Sequence, residues 1–205
     1  MTAKTTQPIE STLLSRIYGL GRGVVVTPSH FLDLASRQSI DLALHRLVGK
    51  GKLRRLARGI YDYPRRDTTL GLLYPSVDAV AKAVKGRDAV RIQPAGGYAA
   101  NLLGLSDQVP LKIVFLTDGL TRKIALGKQQ ILFKRTTPRN MATAGKLSGL
   151  VIQALRHLGK RHVDDAIVAR LLARINPDDR KDLLKAARYA PEWIAIIMRK
   201  IAQAK

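Results

Sequence analysis

The chain has 205 residues, with 36 Lys and Arg against 15 Asp and Glu, a formal net charge of +21 and no cysteine. Such an excess is more than solubility needs and suits a polyanionic partner, nucleic acid first, with a solvated basic face and its counterions as the plain competing reading. Lack of cysteine excludes a disulfide framework and thiolate-bound zinc, and no apolar run approaches the roughly 18 residues of a membrane-spanning helix, so a cytoplasmic protein with no membrane partner is expected.

The segment Met1 to Ser11 is polar and has no apolar stretch of the signal-peptide kind. The first helix is expected from Ile9 to Tyr18, with Ile9, Leu13, Leu14 and Ile17 at helical spacing and a glycine-rich stop at 19–23. Gly19, Gly21 and Gly23 mimic a dinucleotide-binding loop. They follow a helix and precede Val24-Val25-Val26, whereas a phosphate loop needs strand, glycines, then helix.

Thr27 and Pro28 mark a second helix, expected from Pro28 to Ala35, because proline is tolerated at the first helical position and threonine can cap it. Ser36 is expected to cap a third helix whose apolar stripe is Ile40, Ala43, Leu44, Leu47 and Val48. At 100° per residue the stripe puts Gln38, Leu42, His45 and Arg46 opposite, with Ser39 and Asp41 at the flanks. These five candidates, Gln38, Ser39, Leu42, His45 and Arg46, have lengths and polarities that can read base edges: Gln toward adenine, Arg toward guanine, Leu toward a thymine methyl.

Gly49-Lys50-Gly51 should end that helix. Lys52-Leu53-Arg54-Arg55-Leu56 and Ile60-Tyr61-Asp62-Tyr63 then read as a two-stranded ribbon through Ala57-Arg58-Gly59, with Gly59 at positive φ. From Arg46 to Arg66 there are eight Lys or Arg and one acid. Lys50, Lys52, Arg54, Arg55 and Arg58 are the candidates for DNA phosphates, so that a helix in the major groove is flanked by a basic wing. The order of helix, turn, helix and ribbon makes a winged helix-turn-helix the expected N-terminal fold.

Pro64 stops the ribbon, and Arg65 to Thr68 reads as a linker. An amphipathic helix is expected from Pro75 to Lys85 on Val77, Val80, Ala81 and Val84, an extended stretch from Asp88 to Ile92, and a small-residue helix from Ala95 to Leu105. Leu111–Thr117 and Gln130–Arg135 read as strands, with Thr121–Leu126 pairing with the first across Asp118-Gly119. From Gly145 onward helices are expected near 145–158, 162–174, 178–189 and 191–203, with boundaries at Asn176-Pro177 and Pro191. Trp193, Ile194, Ile197 and Ile201 form an apolar face that suits docking on neighbouring helices, with a membrane surface as the lesser alternative.

The fold class is therefore α+β, with units expected at 1–66, 67–140 and 141–205, the last two able to pack as one domain. The charge surplus is even: 12 basic and 5 acidic residues in 1–68, 11 and 4 in 69–140, and 13 and 6 in 141–205.

No catalytic set stands out, and neither a metal nor a cofactor is expected. There is no cysteine nucleophile, no Gly-x-Ser-x-Gly elbow, no loop ending in Lys-Ser or Lys-Thr, and no Asp-x-Asp pair after a Gly-Ser. His157 and His162, near Asp164 and Asp165, are five residues apart, which puts them on different helical faces unless Gly159 breaks the helix, and solvated turn residues are favoured over ligands. His30 and His45 have no visible catalytic partner.

Two segments carry a family resemblance: Leu44-His45-Arg46-Leu47-Val48-Gly49-Lys50-Gly51-Lys52-Leu53-Arg54-Arg55-Leu56-Ala57-Arg58-Gly59-Ile60-Tyr61, and Gly97 to Pro110 followed by Phe115-Leu116-Thr117-Asp118-Gly119. Over roughly residues 10–140 the chain resembles the AbiEi-type antitoxins, the transcriptional-regulator half of AbiE-like toxin–antitoxin and abortive-infection systems. The resemblance implies a bacterial operon, a nucleotidyltransferase-type toxin as cognate partner, and repression of the shared promoter through inverted repeats in double-stranded DNA. The expected function is thus a non-enzymatic antitoxin and repressor. The alternatives are an interaction module that neutralises an acidic partner directly, with the winged helix only structural, and an enzyme with unrecognised chemistry.

Overall fold

The computed structural model of the protein describes residues 9–204. The polar segment ahead of Ile9, read above for the absence of a signal peptide, lies outside the described residues, as does Lys205. Helices and small sheets combine in an α+β arrangement of two compact units, one ending at Ala89 and the other beginning at Val90.

Helix α1 (Ile9–Leu20) turns Leu13 and Ile17 fully inward. Strand β1 (Val25–Val26) follows, and then a single 3-10 turn, Pro28–Phe31, where the sequence suggested a helix to Ala35. The turn is held by local bonds: the Thr27 amide donates to His30 Nδ1 at 3.0 Å, and its hydroxyl lies 2.7 Å from Ser29 Oγ. Leu34 N bonds back to Phe31 O at 2.9 Å, a three-residue step, and Ser36 is already extended at ψ 150°, which stops helical propagation.

Helix α2 (Arg37–Gly49) is capped by Ser36, whose hydroxyl accepts from Ser39 N at 3.3 Å. Ile40, Ala43, Leu44 and Leu47 are buried, and Val48 packs on the same cluster with Leu13, Ile17 and Phe31. Removing each large apolar side chain from water contributes about 1.5–3 kcal/mol, so this cluster holds α1 and α2 together. Strands β2 (Arg54–Ala57) and β3 (Ile60–Asp62) form the hairpin, with Gly59 at φ 68° in its turn; Lys52 and Leu53 precede the ladder. Strand β1 adds antiparallel to β3, giving the order β1-β3-β2.

The stretch Arg65 to Thr68, expected as a linker, starts a second hairpin of β4 (Arg65–Asp67) and β5 (Gly71–Leu73). Asp67 Oδ1 accepts from the amides of Thr69 and Leu70, both at 2.9 Å, and Gly71 takes φ 74°, so the turn closes on side-chain bonds that a count of apolar residues misses. Helix α3 (Val77–Asp88) is capped by Ser76 and buries Val80, Ala81, Ala83 and Val84. It runs through Asp88, where extended chain was expected, and ends at Ala89 in the left-handed region at φ 49°.

The second unit is built on a four-stranded sheet of order β6-β7-β9-β8, from β6 (Ile92–Ala95), β7 (Lys112–Thr117), β8 (Arg122–Leu126) and β9 (Gln129–Arg135). The expected hairpin of β7 with β8 across Asp118-Gly119 does not form. Strand β8 pairs with β9 through a tight turn at Gly127, φ 62°, while β7 pairs in parallel with β9 and antiparallel with β6. Asp118 is occupied otherwise: its carboxylate accepts from the Arg91 amide and Arg91 Nε, both at 2.8 Å, which turns the chain after β7 toward β6.

Helix α4 (Gly96–Leu102) places Tyr98 edge-on against Phe115, 5.5 Å between ring centroids, and Phe115 stacks on Phe133. After a short α5 (Pro138–Met141), α6 (Leu147–Leu158) packs on α4 and β6, where Gly149 leaves no room for a side chain beside the Thr143 carbonyl and Gln93 Oε1. Helices α7 (Asp165–Arg174), α8 (Pro177–Ala186) and α9 (Glu192–Gln203) complete the unit. Ile194 and Ile201 of α9 are fully buried with Leu155, Leu171 and Leu183, and Trp193 and Ile197 pack against that cluster. The apolar face of α9 is thus used for docking. Among the described residues no helix is long and apolar enough to cross a membrane.

Candidate nucleic-acid interface

With the stripe of α2 committed to the core, the opposite face is left to solvent. Gln38, His45 and Arg46 are exposed, and Leu42, a large apolar side chain, is 49% exposed between them. Ser39 is only half exposed, and its hydroxyl lies 2.9 Å from Ser36 Oγ, so it belongs to the helix start as much as to the open face. The structure brings Gln38, Leu42, His45 and Arg46 onto one surface.

The five cations singled out for phosphates differ. Lys52, Arg55 and Arg58 are exposed, and no hydrogen bond or ion pair engages their side chains among the described residues. Lys50 is exposed but paired with Glu10 at the start of α1. Arg54 is committed to the fold. Its Nε and Nη2 donate to Asp62 Oδ1 and Oδ2 at 3.1 and 2.6 Å, Nη2 also reaches Leu73 O at 2.7 Å, and the guanidinium lies 4.0 Å over the Tyr74 ring. Asp62 is 0% exposed, and burial raises its pKa against the opposing pull of Arg54. A side chain so placed fixes the hairpin against β5, and contact with a phosphate would require breaking those bonds.

Two arginines that sequence reasoning passed over complete this surface. Arg37 lies one turn before Asp41 on α2 and bonds to it, Nε to Oδ2 at 3.0 Å, and His45 follows one turn later, so the three share a ridge at four-residue spacing. That spacing was readable. Arg87 was not, being 29 residues from the carbonyl it holds: its Nη1 donates to Arg58 O at 2.6 Å. Gly59 makes the approach possible, since a Cβ there would come within 3.3 Å of the Arg87 guanidinium carbon. Together these groups line an open cleft of about 280 Å³ between α2 and the β2–β3 hairpin, floored by Gly59 and Tyr61.

The sequence pattern of DUF6088, a family of unknown function, matches residues 12–183, most of the chain. The chain belongs to the DUF6088 family. A comparison with curated proteins gives no match. In this DUF6088 chain the matched span runs from within α1 into α8, so the polar face of α2 and the arginine-lined cleft both lie inside it, whereas α9 lies beyond. Among the described residues no three His, Cys, Asp or Glu side chains gather as a metal site; Gly159 ends α6, and His162, in the 3-10 turn that follows, has its Nδ1 2.9 Å from Leu158 O at the end of that helix.

Proposed function

We propose that this DUF6088 chain binds double-stranded DNA through a winged helix in its N-terminal unit, with α2 in the major groove and the β2–β3 hairpin as the wing. The observation that carries the reading is an outward helix face bearing Gln38, Leu42, His45 and Arg46 beside a hairpin whose exposed Arg55 and Arg58 side chains are engaged by no hydrogen bond or ion pair among the described residues. Long polar side chains on an open helix can reach base edges, while flanking guanidinium groups neutralise phosphates without reading sequence. The formal charge of +21 adds a general attraction to the duplex.

The wider role we infer is that of an antitoxin that represses its own operon and counteracts a nucleotidyltransferase-type toxin, as its resemblance to AbiEi-type regulators implies. The test is a salt-titrated binding assay comparing DNA upstream of the chain's own gene with random duplex of equal length. A preference of about a thousandfold or more is expected for a specific repressor. Equal and steeply salt-sensitive binding to both would refute sequence reading. For the antitoxin role, co-expression with the neighbouring gene product should relieve growth arrest, and unrelieved arrest counts against it.

A further inference from the structure

We propose that the cleft between α2 and the β2–β3 hairpin is a discrete site for a single phosphate group, held by Arg55 and Arg58, with Arg87 as the positioning residue that sets the hairpin tip. The inference goes beyond DNA recognition, because the same chemistry takes a backbone phosphodiester or the phosphate of a free ligand.

The charge inside the cleft is one-sided. Arg37, Arg55, Arg58 and Arg87 line it with His45, against the single carboxylate of Asp41, which Arg37 holds at 3.0 Å. Several guanidinium groups lining one cleft suit phosphate better than carboxylate. Phosphate offers three or more oxygens and up to two charges, where a carboxylate offers two oxygens and one charge. Apolar ligands are disfavoured by so polar a lining.

The site is also built before any ligand arrives. Arg87 is held from two sides, by the Arg58 carbonyl at 2.6 Å and by Asp88 Oδ1 at 3.4 Å, and its side chain is 20% exposed. Its plane lies against Gly59, whose positive φ and missing Cβ admit it. The bond to the Arg58 carbonyl fixes the backbone from which the Arg58 side chain springs. Arg55 springs from β2, where it pairs with Tyr61 of β3. The two candidate ligands therefore leave a backbone pinned at both ends of the turn.

The test is calorimetric titration of the full chain with sodium pyrophosphate and with inorganic phosphate, at ionic strength held constant with sodium chloride. Saturable binding with one site per chain is expected, and a double variant Arg55→Gln, Arg58→Gln should bind at least tenfold more weakly while melting at the wild-type temperature. Removing the same charge elsewhere, with Lys123→Gln and Lys134→Gln, should change nothing. Arg55→Lys with Arg58→Lys keeps the charge but loses the fork, and an intermediate loss is expected. Absence of saturable binding, equal losses in the two glutamine variants, or full affinity in the lysine variant would each overturn the proposal. Competition then identifies the source of the phosphate: mutual exclusion by duplex DNA assigns a backbone phosphate, and simultaneous binding assigns a free phosphorylated ligand. Pyrophosphate binding that persists in a chain showing no preference among duplexes would sink the repressor reading and leave the phosphate site standing.

Discussion

Arg54 and Arg55 are neighbours of the same chemistry with opposite fates, because successive side chains of a strand point to opposite faces. Arg55→Ala should leave the melting temperature nearly unchanged and flatten the log–log salt dependence of DNA binding by about one unit, the release of one phosphate's counterion. Arg54→Ala should instead lower stability by about 3 kcal/mol in urea denaturation, since it strands a buried carboxylate. The distinction was not within reach of the sequence. A turn at Arg58-Gly59 closed by Ala57 and Ile60 would in regular register set Arg55 opposite Asp62, and it is the bulge between Arg55 and Ala57 that shifts the ladder by one and brings Arg54 to face Asp62, where opposite charges attract. The exposed face of α2 was legible for a plain reason, the 3.6-residue period of Ile40, Ala43, Leu44 and Leu47. Acid titration separates two other aspartates. Asp118 is held below its ordinary pKa of 3.8 by its bonds from Arg91, so its contribution is present above that value and is lost as the pH falls through the lower folded one. Asp62 is raised by burial, so its contribution is complete below 3.8 and declines as the pH rises through the raised folded value. Urea midpoints of Asp118→Asn and Asp62→Asn against wild type, followed from pH 7 to pH 3, should therefore diverge with opposite slopes.

Among elements, those with strong apolar period were legible and those decided by a turn were not. Helices α2, α3, α6 and α9 follow stripes that bury one face. Strand β8 carries an equally clear alternation, yet its partner depends on which of two glycine turns closes, Asp118-Gly119 or Gly127-Lys128. The choice falls to Gly127 because Asp118 is engaged by Arg91, 27 residues earlier in the chain. No local pattern holds that information. The contact of α6 with β6 is similarly silent in sequence and shows only as the close approach at Gly149, where the Gln93 side chain also accepts from the Gly145 amide at 3.0 Å. Gly149→Ala, ordinarily favourable in a helix, should here destabilise the second unit by about 1–3 kcal/mol through overpacking. A urea midpoint equal to or above that of wild type would show that α6 can move aside without loss.

At the scale of the molecule, the charge that suggested a polyanion is spread through both units, with +7 over residues 1–68, 69–140 and 141–205 alike. Attraction and discrimination are therefore separable. Substituting Lys123 and Lys134 of the second unit by Gln should weaken binding to promoter and random duplex by the same factor, whereas Gln38→Ala or Arg46→Ala should cost on the order of 1–3 kcal/mol on the promoter alone. A change in the promoter-to-random ratio on losing the two lysines would mean that the second unit also reads sequence. The locked hairpin tip has a consequence for the thermodynamics of any such encounter. With Arg87 against Gly59 and the Arg58 carbonyl, the tip's backbone torsions are fixed when the protein folds rather than when a ligand docks. Ordering a mobile side chain on binding typically costs about 0.5–1.5 kcal/mol, and a tip already ordered avoids part of that loss. Arg87→Gln should accordingly make the entropy of association more unfavourable.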